Sequence, residues 1–198
     1  MTSGFAVRLA TVEPVQHLVG LAVRAERLGA AAVLVDQDGP GRAVVVAVAA
    51  MAVATERIAL LPRWGATTAA AVQRALPGLA ALDELSGGRV VGCFPASGLR
   101  DGVAAGHAVA AVERRPRGPR PGLAGVVTEG PRPGRPGPGG WVVWSPPAVP
   151  DDLAGINPDA VAYRLERHDV EELDALVGRA RAAGLAEAVD LLGVTADP

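Results

Sequence analysis

Along its first half, the chain alternates between two hydrophobic periods. Phe5 to Ala10 is an apolar run of strand length, and Val15, Leu18, Val19, Ala22 and Leu28 then recur at the spacing of one helical face. Pro14 suits the first helical position and Gly29 supplies the stop. The cycle repeats with a second strand over Ala31 to Asp36 and a second helix opened by Pro40 that carries Val44, Val48 and Met51. Thr55 to Arg57 turns the chain, and Ile58 to Leu61 predicts a third strand. Ala69 to Leu85 predicts a third helix, with Thr67 or Thr68 able to cap its orphan amides. Gly87 and Gly88 end it, because one of them can take the left-handed conformation that a side chain resists. Arg89 to Phe94 predicts the fourth strand. Strands joined by helices cross over right-handed, so the repeat yields an open doubly wound sheet or a closed barrel. Periodicity alone does not choose.

The second half is less orderly. Asp101 to Glu113 predicts a helix weakened by Gly102 and Gly106. From Arg114 to Gly140 the chain is dominated by proline, glycine and arginine, which bury too little apolar surface to order a core, so 114–140 is expected to be a flexible loop. Within it, Leu123 to Glu129 has the β-branched content of a short strand. Trp141 to Trp144, Ala160 to Leu165 and Ala188 to Val194 complete a count of eight strands. A helix with the stripe Val170, Leu173, Leu176 and Val177 precedes the last of them. Asp169 can cap it, and Glu171 and Glu172 suit its positive end. No helices are evident after the fifth and eighth strands.

Composition narrows the class. At 198 residues and 49% hydrophobic content the chain can bury one substantial core, so 1–198 is read as a single α/β domain. The formal net charge of −2 leaves no nucleic-acid footprint. No uninterrupted apolar run is long enough to span a membrane, and the start of the chain lacks the layout of a signal peptide, which predicts a cytoplasmic protein. Cys93 is the only cysteine, which excludes an internal disulfide and a cysteine metal cluster within one chain. The three histidines, His17, His107 and His168, lack metal-ligand spacing, so no metal is expected. All nineteen basic residues are arginine, which excludes a Schiff-base lysine. The arginines at 114, 115, 117 and 120 form a local basic run that reads as a solvated loop.

Three motifs carry a resemblance to a known family. Leu82-Asp-Glu-Leu-Ser-Gly-Gly-Arg89, Ala25-Glu-Arg-Leu-Gly29 followed by Val33-Leu-Val-Asp36, and Ala54-Thr-Glu-Arg-Ile58 resemble, in order and spacing, the signatures of luciferase-like monooxygenases. That superfamily includes bacterial luciferase subunits and deazaflavin F420-dependent reductases. The resemblance spans about residues 5 to 95 and implies a (β/α)8 TIM-barrel-like fold, here with a shortened second half that need not complete the barrel. It also implies FMN or F420 lying across the C-terminal mouth. By position, Asp36 and Gln37 follow the second strand, Arg63, Trp64 and Gly65 the third, and Cys93, Phe94 and Ser97 the fourth. These imply cofactor contacts at Asp36, Gln37, Trp64, Gly65, Cys93, Phe94 and Ser97. Arg89 is implied to be a structural ion-pair former.

The same positions depart from the family pattern. Gln37 stands where many relatives have histidine, and it cannot exchange a proton near neutral pH. Gly92-Cys-Phe-Pro-Ala96 replaces a glycine-rich turn. Two readings therefore stand. One is a flavin- or F420-dependent oxidoreductase or monooxygenase acting on a small organic substrate, in which the cofactor carries the electrons. The other is a non-catalytic flavin-binding member or accessory subunit. No catalytic residue is assigned. The apolar helix Ala43 to Ala54, with its small side chains, is expected to pair in a homodimer, or in a heterodimer with a full-length relative, through a face that includes Val48.

Overall fold

The computed structural model describes residues 4–37, 42–64, 69–95, 124–129, 141–145 and 160–182. In chain order these form β1 (Gly4–Ala10), α1 (Val15–Arg27), β2 (Ala32–Asp36), α2 (Arg42–Ala54), β3 (Ala59–Arg63), α3 (Ala69–Leu85), β4 (Gly92–Pro95), β5 (Ala124–Glu129), β6 (Trp141–Ser145), β7 (Ala160–Arg164) and α4 (Val170–Ala182). β1 to β4 pair in sequence order, all parallel, with a helix on each connection. Four consecutive parallel β/α units were expected over this stretch; the four strands and the three helices that join them are present, and the segment after β4 lies outside the described residues.

Parallel pairing continues through β5, β6 and β7 and returns to β1, so the described strands close a ring of seven. Seven of the eight strands counted in the sequence fall among the described residues. β1 has two edges, and β2 occupies one and β7 the other. The segments 101–113 and 188–194, and 114–140 apart from β5, lie outside the described residues.

Local signals set the element ends. Leu28 caps α1, Gly29 follows with φ 85°, and the amides of Gly29 and Ala30 donate to the carbonyls of Glu26 and Ala25. This paired pattern satisfies the last carbonyls of a helix and requires a left-handed residue at Gly29. α3 ends the same way. Gly87 and Gly88 have φ of 70° and 95°, and their amides return to Glu84 and Asp83. Pro14 stands one position earlier than expected, as the cap of α1, where its carbonyl accepts from His17 and Leu18. Asp169 caps α4 by accepting from the Glu172 amide at 2.7 Å, while the Glu172 carboxylate turns back to the amides of Glu166, Arg167 and His168. The buried stripe of α4 is Leu173, Leu176, Val177 and Ala180, whereas Val170 remains exposed in the first turn.

Two apolar clusters share the strands between them. Phe5, Val7, Leu9, Val33, Val35 and Leu60 join helix residues such as Leu18, Val48 and Leu173 in the larger one. Ala6, Ala32, Leu34, Ala59, Leu61, Val91 and Cys93 form the smaller one, which contains no helix residue and fills the lumen. Val48 is wholly buried in the larger cluster, which corrects its expected place on a subunit contact: α2 turns Val46 and Val53 outward instead.

Candidate functional site

In a parallel barrel the loops that carry chemistry leave from the C-terminal strand ends. β2 ends at Asp36 and β3 at Arg63, and the two are in register. Side chains alternate along a strand, so Asp36 shares the lumen side with Ala32 and Leu34, and Arg63 shares it with Ala59 and Leu61. Arg8 on β1 has the parity of Ala6 and also points inward. The three meet: Arg8 Nε donates to Asp36 Oδ2, and Arg63 NH1 donates to Asp36 Oδ1 at 3.1 Å. Asp36 is 3% exposed, and a carboxylate so buried persists only when paired and hydrogen-bonded. Arg164 on β7 is in register with Arg8, about half exposed, and faces Glu166 across 3.8 Å.

This charged layer lies on the apolar lumen. Cys93 is in register with Arg63 and fully buried, and its S–H lies 3.7 Å from the Val91 carbonyl oxygen. Burial pushes the Cys93 thiol far up from its ordinary range, so it stays protonated and is a poor nucleophile. Gln37 is half-buried just beyond β2, and its amide donates to the Arg63 carbonyl. Trp64 is buried, but its parity is opposite to that of Arg63, and its ring packs in the strand-helix cluster while its amide donates to Cys93 O at 3.0 Å.

Of the residues implied as cofactor contacts, the lumen thus brings Asp36 and Cys93 together. Gln37 and Trp64 sit at the same level on the strand ends. Phe94 is placed in β4 by its backbone alone, and Gly65 and Ser97 lie outside the described residues. Arg8, Arg164 and His168 were missed. Arg8 had a usable signal, since an arginine within Phe5-Ala-Val-Arg-Leu-Ala10 needs a buried anion to share the barrel with.

The motifs behind the family resemblance, apart from Val33 to Asp36, assemble at the opposite end of the barrel. The Glu26 carboxylate accepts the amides of Glu56, Arg57 and Ile58. Arg89, 6% exposed, donates to the carbonyls of Ser86, Ile58, Ala52 and Thr55 and to Thr55 Oγ1, all between 2.8 and 3.0 Å. Arg89 is structural, as expected, yet its guanidinium is engaged by carbonyls at the end of α2 rather than by a carboxylate. Desolvation by burial lowers its pKa, opposed in part by Glu26 and Glu56.

Among the described residues no group of three or more histidine, cysteine or acidic side chains could hold a metal, and no helix is long and apolar enough to cross a membrane.

No protein-family model matches the chain, and no curated protein does. Solved structures match its fold. The coenzyme F420-dependent tetrahydromethanopterin reductase of Methanopyrus kandleri aligns at 22% identity and TM-score 0.43, over 48% of this chain and 27% of that one. The (S)-3-O-geranylgeranylglyceryl phosphate synthase of Thermoplasma acidophilum, in complex with sn-glycerol-1-phosphate, aligns at 13% identity and TM-score 0.51, over 91% of this chain and 93% of the other. The oxygenating constituent of 3,6-diketocamphane monooxygenase from Pseudomonas putida, a type II Baeyer-Villiger monooxygenase in complex with FMN, aligns at 10% identity and TM-score 0.52. This chain is covered over 93% of its length in that alignment and spans 64% of the monooxygenase. The likeness to the synthase and the monooxygenase is one of fold: α/β proteins with a parallel, barrel-like sheet.

Proposed function

We propose that this protein binds a flavin-type cofactor, FMN or F420, over the C-terminal mouth of its barrel and acts as a luciferase-like oxidoreductase or monooxygenase on a small organic substrate. The observation that carries the reading is the Arg8–Asp36–Arg63 layer, set at the strand ends above an otherwise apolar lumen. The resemblance in residues 5 to 95 implies a cofactor at that level, and the residues there fit one. Arg63, whose side chain is 20% exposed, offers donors to an anionic group or a ring carbonyl, and Gln37 can bond a ring edge. Asp36 holds the two guanidiniums in place, and the lumen excludes water beneath them. A bound flavin or deazaflavin would supply hydride transfer or oxygen activation.

A non-catalytic flavin-holding protein or accessory subunit is the second reading. It is favoured by the state of the lumen groups, where Asp36 is clamped between two cations and Cys93 is held protonated. Titration of the purified chain with FMN and with F420, followed by absorbance, tests both readings. Saturable binding with substrate-dependent bleaching of the ring supports the enzyme. Saturable binding without turnover across a panel of small substrates supports the holder, and no binding of either ring removes both.

A further inference from the structure

The barrel closes where β1 meets β7, and the last rung of that seam is not a backbone pair. Leu165 N donates to Arg8 O at 3.1 Å as a parallel ladder requires. The next donor on β1, the amide of Ala10, goes instead to Nε2 of the His168 ring at 2.9 Å. His168 is 4% exposed and stands at φ 54°, in the left-handed region that few residues other than glycine adopt. From the other side, His17 in the first turn of α1 donates from Nε2 to the His168 carbonyl. One residue therefore ties the β1–α1 and β7–α4 connections together at the mouth.

An amide can only donate, so Nε2 of His168 must present a lone pair and the ring must carry its single proton on Nδ1. We propose that His168 is a proton-operated latch on the barrel seam, closed while Nε2 is bare and released when that nitrogen takes a proton. Protonation sets two donors against each other in a buried site, where neither finds water. His17 cannot play this part, because its Nε2 donates to a carbonyl and keeps doing so when the ring is charged. The charged and titratable groups on the segments that meet at the latch include Arg8 on β1, Glu13 and His17 from the β1–α1 connection and α1, Arg164 on β7, and Arg167, Asp169 and Glu172 near His168 in sequence, with Glu172 accepting the His168 amide at 3.1 Å. Release would loosen the mouth on the β1–β7 side and leave β2 to β4 paired.

Amide hydrogen exchange by NMR on the full chain tests this. As the pH is lowered from about 8 to about 5, protection at Ala10 should fall about tenfold or more after correction for intrinsic rates. Protection at Leu60 and Val91, whose amides lie in the β3–β4 pairing, should hold. His168→Gln keeps an acceptor but no titration, so its Ala10 protection should be flat with pH, while His17→Gln should respond as the parent does. Should His168→Gln not fold, ring 15N shifts of the parent decide: His168 must lose its bare Nε2 in step with Ala10 protection. Constant Ala10 protection in the parent, or loss shared equally by Ala10, Leu60 and Val91, would overturn the latch.

Discussion

The two ends of the barrel use the same chemistry for different purposes. At the N-terminal end, Arg89 and Glu26 saturate backbone groups of the turns between helices and strands, among them the carbonyls of Ala52 and Thr55 left by the end of α2. At the C-terminal end, Arg8 and Arg63 converge on another side chain, Asp36, and hold it inside the lumen. An arginine on carbonyls is a staple, since its partners have no other conformation to adopt once the fold is made. Arginines on one buried carboxylate form a charged layer that a ligand can share or rearrange. Apart from Asp36, the motifs most legible in the sequence belong to the first kind, which explains why they report the fold more sharply than the reaction.

Breaking the staple should have the largest effect. Arg89→Met removes the donor from five acceptors around α2 and β3, and orphaning buried carbonyls should cost about 3–5 kcal/mol in denaturant unfolding. Where this variant still folds, its affinity for a flavin should match the parent's. A weaker affinity in folded Arg89→Met would blur the division between the two ends.

Next in size is a packing contact that holds α3 on β4. A Cβ at Gly92 would lie 2.6 Å from Leu79 Cδ1 and 3.3 Å from its Cγ, so Gly92→Ala should destabilise by about 1–3 kcal/mol through overpacking. Combining it with Leu79→Ala should cost less than the sum of the two single changes, because the double variant removes the clash. Additive costs in that cycle would show that the strain lies elsewhere.

At the mouth the order of effects should reverse. Arg63→Met leaves Asp36 with Arg8 and lies nearer solvent than Arg89, so its stability cost should be about 1 kcal/mol, below that of Arg89→Met. On the proposed function, Arg63→Met should weaken FMN or F420 binding about tenfold, through loss of one charge-assisted contact, read by fluorescence titration. Unchanged affinity beside an intact fold would move the cofactor away from this layer.

The smallest effect is expected from a surface pair outside both ends. Arg24 Nε donates to Asp174 Oδ1 at 2.8 Å, joining α1 to α4, and both side chains are more than 40% exposed. The hydrogen bond from Arg24 holds the Asp174 carboxyl below its ordinary value. A carboxylate whose folded value is lowered stabilises the fold above the unfolded value and loses that contribution as pH falls through the folded one. Asp174→Asn should therefore lower the melting temperature slightly at neutral pH, by less in high salt and not at all in strong acid. A difference that survives in acid would mean that the contact is not electrostatic.

By itself, the sequence determined what depends on near neighbours. Helix stops at Gly29, Gly87 and Gly88, the cap at Asp169 and the strand-helix alternation through residue 95 rest on contacts within a few residues, where steric rules leave few choices. Tertiary structure decided the rest. All five residues of Ala32–Asp36 are buried, so no polar alternation in the sequence could show which of them face the lumen and which the helices. Arg8 reaches Asp36 across 28 residues and Arg63 across 27, and the ring of His168 meets the Ala10 amide across 158. Closure of the described strands into a ring turned on β7 taking the free edge of β1, a pairing between strands far apart in the described chain. Such contacts depend on strand register and on the path of the whole sheet. A hydrophobic period records that a residue is buried, and only the closed ring determines beside whom.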